Sequence, residues 1–100
     1  MSDLTVVGFD VHGPIRLRIL ADRIEVDRSS ANQASEVVSV PFSEITWVEI
    51  TGPVKGPTAG MLFTLTHGRS LYVRGLSRLD AQLAYEGVLD RAGIEGRWGY

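Results

Sequence analysis

A chain of 100 residues makes one domain, able to bury roughly two thirds of its unfolded surface and leaving no room for a separate catalytic domain. Hydrophobic residues make up 44% and charged residues 22%, so the chain is expected to fold by itself; its net charge of -2 gives no chain-wide attraction for nucleic acid or an anionic membrane. Cysteine is absent, which excludes disulfides, thiolate nucleophiles and thiolate metal sites together.

The opening "MSDLTVVGFD" has neither a basic region nor a long apolar region of the secretory kind, and no apolar run approaches the ~20 residues that span a bilayer. A soluble cytoplasmic protein is the expectation. Leu4 to Asp10 reads as a first strand, ended by the turn residues His12-Gly13-Pro14. Ile15, Leu17 and Ile19 then alternate with Arg16 and Arg18, a half-buried strand with a basic outer face. Ala21-Asp22 connects it to Arg23–Asp27, where Ile24 and Val26 face one way and the charges the other. A hairpin of these two runs would set Arg16 and Arg18 across from Glu25, Arg23 or Asp27.

Arg28 to Ser35, "RSSANQAS", is small and polar and reads as a surface loop. Val37, Val38 and Val40 form a short strand stopped by Pro41, which has no N–H for a ladder. Ile45 to Thr51 is a fifth strand; simple alternation places Trp47 and Glu49 on the face away from Val48 and Ile50. Gly52 to Gly60 holds three glycines and two prolines in nine residues, and reads as a loop. Met61, Phe63 and Leu65 open a hairpin that turns at His67-Gly68 and returns with Leu71 and Val73 inward.

After Gly75 the period changes to that of a helix. Ser77 is placed as N-cap with Asp80 three residues on, and Leu79, Leu83, Tyr85, Val88, Leu89 and Ala92 follow at helical spacing. Gly93 is placed as the left-handed stop, so the helix spans about residues 78–92. Residues 1–94 then form a single domain of seven strands and one helix, and 95–100 a flexible aromatic tail.

The segment "VPFSEITWVEI" is similar to an I-P-hydrophobic-x-[DE]-I-x-x-V segment of bacterial pleckstrin-homology (PH)-like families, and it is followed by the "GMLFTLTHGRSLYV" hairpin and the capped helix. The resemblance covers nearly the whole chain, on short and mostly structural motifs. It implies a mainly β (α+β) fold: a seven-stranded antiparallel barrel or sandwich, plugged at one open end by the C-terminal helix. Members of that superfold bind phosphoinositides, peptides or proteins, and bacterial ones often self-associate, so the sites need their own argument.

"GPIRLRIL" offers one. Phosphoinositide-binding PH domains carry a loop lysine and then a basic-x-Arg pair followed by two hydrophobic residues; Arg16-Leu17-Arg18-Ile19-Leu20 resembles the second half, and His12 stands where the lysine would be. Two arginines on one strand face can grip a phosphate by paired hydrogen bonds. The competing reading is a solvated strand face neutralised by Glu25 and Asp27. Arg69 and Arg74 flank the strand Leu71 to Val73, and Arg23, Arg28 and Lys55 lie in or beside loops; together they could gather at one barrel end, the competing reading being strand-end charges that keep edges soluble.

Other chemistries lack their residues. His12 and His67 sit in glycine turns with no second ligand at metal spacing, no glycine-flanked serine elbow is present, and "GPVKGPTAG" lacks the GK[ST] end of a phosphate loop. No cofactor, metal or nucleic acid is expected, and no catalysis. The expected function is a non-catalytic protein-binding or self-assembly module that meets a protein partner or another copy of itself through Trp47, Glu49 and the tail residues Arg97, Trp98 and Tyr100. The alternative is a binder of anionic lipid headgroups through His12, Arg16 and Arg18.

Overall fold

The period-two patterning is realised as two sheets in a computed structural model that describes residues 3–10, 13–30, 33–52, 56–93 and 96–97. The first sheet is a meander of β1 (Leu4–Asp10), β2 (Gly13–Ile19), β3 (Arg23–Ser30) and β4 (Gln33–Pro41), antiparallel throughout. A single 3-10 turn, Phe42–Glu44, leads into the second sheet of β5 (Ile45–Thr51), β6 (Thr58–Leu65) and β7 (Ser70–Ser77). The helix α1 (Arg78–Ala92) follows, and β8 (Gly96–Arg97) returns to lie parallel to β5, giving the order β7-β6-β5-β8. The fold is mainly β with one C-terminal helix.

Alternate residues of both sheets meet in one apolar core. Val6, Ile15, Leu17, Ile19, Ile24, Val26 and Val40 come from the first sheet; Val48, Ile50, Met61, Phe63, Leu65 and Val73 come from the second. Each such side chain contributes about 1.5–3 kcal/mol when fully buried, which fixes the register, since a slip by one residue would turn a whole strand's apolar set outward. The arginine and acid positions follow as that register requires: Arg16 lies across from Asp27 and Arg18 across from Glu25.

The sheets are not closed into a barrel, which corrects that part of the expectation. Among the described residues no ladder joins them; β1 instead crosses β7 where both backbones are bare. A Cβ at Gly8 would lie 2.5 Å from the Arg74 carbonyl oxygen, so glycine there lets the strands approach. Arg28 adds a polar tie between the sheets, donating from Nη2 to the Tyr72 carbonyl oxygen at 2.7 Å.

Two expected loops are partly strand. Residues Arg28 to Ser30 continue β3 and Gln33 to Ser35 begin β4, with Ser30 paired to Gln33 beyond a bulge. Likewise β6 begins at Thr58, with Ala59 paired to Leu76 and Gly60 to Thr51. Backbone hydrogen bonding extends these strands through small residues whose side chains carry no alternation to read.

Two bulges set the faces of the second sheet. One extra residue in β5, between Ile45 and Trp47, brings Ile45 onto the core side with Val48 and Ile50, where simple alternation places it outside. The other lies in β7 between its pairings to Ala59 and Met61, at Arg74-Gly75, with Gly75 at φ 73°.

The helix has the expected caps. Ser77 accepts a hydrogen bond from the Asp80 amide at 3.1 Å, and Gly93, at φ 65°, donates its amide to the Leu89 carbonyl at 3.0 Å. Its buried side is Ala81, Ala84, Tyr85 and Val88, with Leu89 and Ala92 at the margin. Small Ala81 and Ala84 let the backbone come close to the sheets. Leu79 and Leu83, expected in the apolar stripe, are instead 67% and 44% exposed.

Candidate protein-binding face

The outward side of the second sheet carries the aromatic residues in question. With Ile45, Val48 and Ile50 turned to the core, Trp47 and Glu49 are left on the outer face, both half-buried. Simple alternation puts Trp47 on the outer face, and it lies there half-buried. Across the ladder Trp47 meets Thr64, Glu49 meets Leu62, and Leu62 meets Tyr72. Trp47 and Leu62 are therefore diagonal neighbours, within reach of an indole at the ~7–8 Å typical of such pairs.

Tyr72 finishes the row and is held from several sides. Its hydroxyl lies 3.0 Å from Thr51 Oγ1, its ring crosses the space over Gly60, and the Arg74 guanidinium sits 5.9 Å from the ring centroid. A Cβ at Gly60 would come within 2.8 Å of Thr51 Oγ1 and closer still, 2.6 Å, to the Tyr72 hydroxyl, so the ring occupies room that only glycine leaves. The result is a stripe of Trp47, Leu62 and Tyr72, with Glu49 beside it and Arg74 at its end. A rigid aromatic with few torsions costs little entropy to fix at a contact, and the arginine stacked on Tyr72 adds a polar handle.

The tail begins at this face. Gly96 pairs with Val48 and Arg97 with Glu49, which places the Arg97 backbone on the β5 edge beside Glu49. Trp98 and Tyr100 lie outside the described residues.

Arg16 and Arg18 share the outer face of the first sheet, both exposed, as alternation requires. Arg18 Nη1 is bonded to Glu25 Oε1 at 3.2 Å, and Arg23 reaches the same carboxylate at 3.4 Å and Asp22 at 3.0 Å. The expected neutralisation by Glu25 is thus present for Arg18, while Arg16 has Asp27 as its cross-strand neighbour. His12 lies outside the described residues, so the third member of that set has no stated place. Of the other strand-end arginines, Arg69 pairs with Glu44 at 3.6 Å, and Arg28 and Arg74 both reach Tyr72. Lys55 lies outside the described residues.

Among the described residues no group of three or more His, Asp or Glu is placed to hold a metal ion, and no charged side chain is buried. Burial raises the Tyr85 phenol above its ordinary range. Among the described residues no helix is long and apolar enough to cross a membrane.

Leu62 and Tyr72 were not singled out from sequence. Both alternate with core residues, and their joining to Trp47 depends on which strands pair and in what register. The one local signal is Gly60 within a mostly apolar strand, a common mark of close approach by another group. No family model matches the chain, and no curated protein matches its sequence.

Proposed function

We propose that the chain is a non-catalytic module for protein binding or self-assembly, with a PH-like arrangement of two sheets and a closing helix. The observation that carries the reading is the outer stripe of Trp47, Leu62 and Tyr72, supported from beneath by a core-packed sheet and rimmed by Glu49 and Arg74. Aromatic residues with an arginine at the margin are the composition that protein contacts favour, and a sheet presents them in fixed positions. The PH-like assignment draws on the strand order and the "VPFSEITWVEI" segment, with Pro41 ending β4 and the 3-10 turn delivering Ile45 to the core.

The anionic-headgroup alternative has less support. Arg18 is engaged with Glu25, and Arg16 stands opposite an acid. A phosphate drawn to this face would have to compete with both carboxylates.

The test is light scattering over a concentration series on the wild-type chain, on Trp47→Ala and on a chain lacking its last four residues, with capture of proteins from a cell extract in parallel. Loss of assembly, or of captured proteins, with Trp47→Ala is the expected result. A chain that stays monomeric and captures the same proteins with and without Trp47 would sink the reading.

A further inference from the structure

Exposed apolar side chains gather at two places away from the Trp47 stripe. On the first sheet, Val7 and Phe9 are 44% and 66% exposed, and Phe9 lies across from Pro14, which is exposed as well. Arg16 lies across from Val7 and Arg18 across from Thr5. Opposite residues share a face, so with distance from the Gly13 turn the outer side of this hairpin reads apolar, then basic. Arg16 has no ion pair among the described residues, and the acids of the same face, Glu25 and Asp27, are half-buried on β3.

The second place is α1. At about 3.6 residues per turn, Leu79, Leu83, Glu86 and Asp90 fall on one side, opposite the buried Ala81, Ala84 and Val88. All four are exposed. The helix arginines reach elsewhere, Arg78 to the Gly56 carbonyl at 2.7 Å and Arg91 to the Gly87 carbonyl at 3.5 Å. From its N-terminus this side of the helix therefore reads apolar, then acidic.

The two patterns agree in order and in spacing. Rows through Phe9, Val7 and Thr5 follow one another at about 7 Å along the strands. Along the helix axis Leu83, Glu86 and Asp90 lie about 6, 10 and 16 Å from Leu79. A helix laid along β1 and β2 with Leu79 over Phe9 and Leu83 over Val7 thus brings Glu86 and Asp90 to either side of the Arg18 row, with Arg16 beside them. The chain's own helix is held to the core by its other side, so the helix that fits this face belongs to another molecule.

We propose that the outer side of α1 of one copy docks on the outer face of β1 and β2 of the next. Charge complementarity names a second copy, because this chain carries both halves of the pair. The two surfaces differ, so the contact is heterologous and repeats into rings or chains. One helix on a sheet buries less than the ~1,200 Å² of a standard interface, so assembly should need high micromolar concentration. The contact goes beyond the Trp47 reading: Trp47→Ala should leave it unchanged, and the variants below leave the second sheet intact.

Sedimentation over a concentration series follows wild type, Phe9→Lys, Val7→Thr with Phe9→Thr, and Leu79→Lys with Leu83→Lys, with urea unfolding to show that each is folded. Wild type should grow past a dimer, and each variant alone should associate about tenfold more weakly or worse. Mixing Phe9→Lys with the double-lysine helix variant leaves one good contact, the helix of the first on the sheet of the second. Dimers of one of each should form and grow no further. In a chain without cysteine, Val7→Cys mixed with Leu83→Cys should give a disulfide-linked dimer faster than either alone. A wild type that stays monomeric or stops at a dimer overturns the proposal, as does a folded mixture that stays unpaired or a mixed disulfide no faster than the others. A monomer that binds phosphatidylserine vesicles and loses them with Val7→Thr and Phe9→Thr would give that face to a lipid surface and overturn it too.

Discussion

Gly75 shows how much of this fold depends on a single missing side chain. It sits at φ 73° in the β7 bulge, and a Cβ there would overlap the Phe9 carbonyl oxygen and crowd the Phe9 nitrogen. Both the left-handed backbone and the crossing of β1 over β7 therefore depend on glycine. Gly75→Ala is expected to cost about 3 kcal/mol or more, because strain of 1–3 kcal/mol from the dihedral adds to a clash with backbone that has no flexible end to move. Urea unfolding checks this: the midpoint should fall while the slope stays that of wild type. A change below about 1 kcal/mol would mean that the crossing relaxes easily and does not hold the sheets together. From sequence this residue marks only the change of period before the helix. Its role depends on Phe9, 66 positions earlier in the chain, which no local pattern reveals.

Elements were legible where their ends are written in side-chain chemistry. β1, β5 and α1 run over the residues expected, Leu4–Asp10, Ile45–Thr51 and Arg78–Ala92, because turn glycines, the Pro41 stop and the Ser77 and Gly93 caps act locally. Strand ends made of Ser, Gln and Ala near residues 28–35 were not legible, since ladder hydrogen bonds hold them and leave no trace in polarity. The helix faces were legible only in part. Six apolar positions fit helical spacing, but the sheets accept the side with Ala81, Ala84, Tyr85 and Val88, and Leu79 and Leu83 are left outside. Substitution separates the two sides. Leu79→Lys with Leu83→Lys is expected to change stability by about 0.5 kcal/mol per site or less, whereas Val88→Ala should cost about 2 kcal/mol through a lost contact and a cavity. Thermal or urea unfolding of both variants decides it. A large loss with the lysines would place the leucines against something in the folded chain.

At the scale of the whole molecule, the two sheets have the means to stay apart as closed units only if their edges are dealt with. The chain does this unevenly. It crosses β1 over β7 and returns its C-terminal segment to β5, but β8 is only two residues long and covers Val48 and Glu49 alone among the described residues of that strand. Ending the chain after Gly93 should therefore leave the core, the helix cap and the first sheet in place while opening the β5 edge. Each lost backbone hydrogen bond carries about 0.5–1.5 kcal/mol net, so a stability loss of about 1–3 kcal/mol is expected, without loss of helix content. Amide exchange locates the effect: protection should fall at β5 near Val48 and Glu49 and persist at β2 and β3 in the first sheet. Aggregation should rise with concentration, because the β5 edge would be left open. If exchange at β5 is unchanged by the truncation, the parallel strand contributes nothing to that edge, and the tail's place beside the Trp47 stripe would lose its structural support.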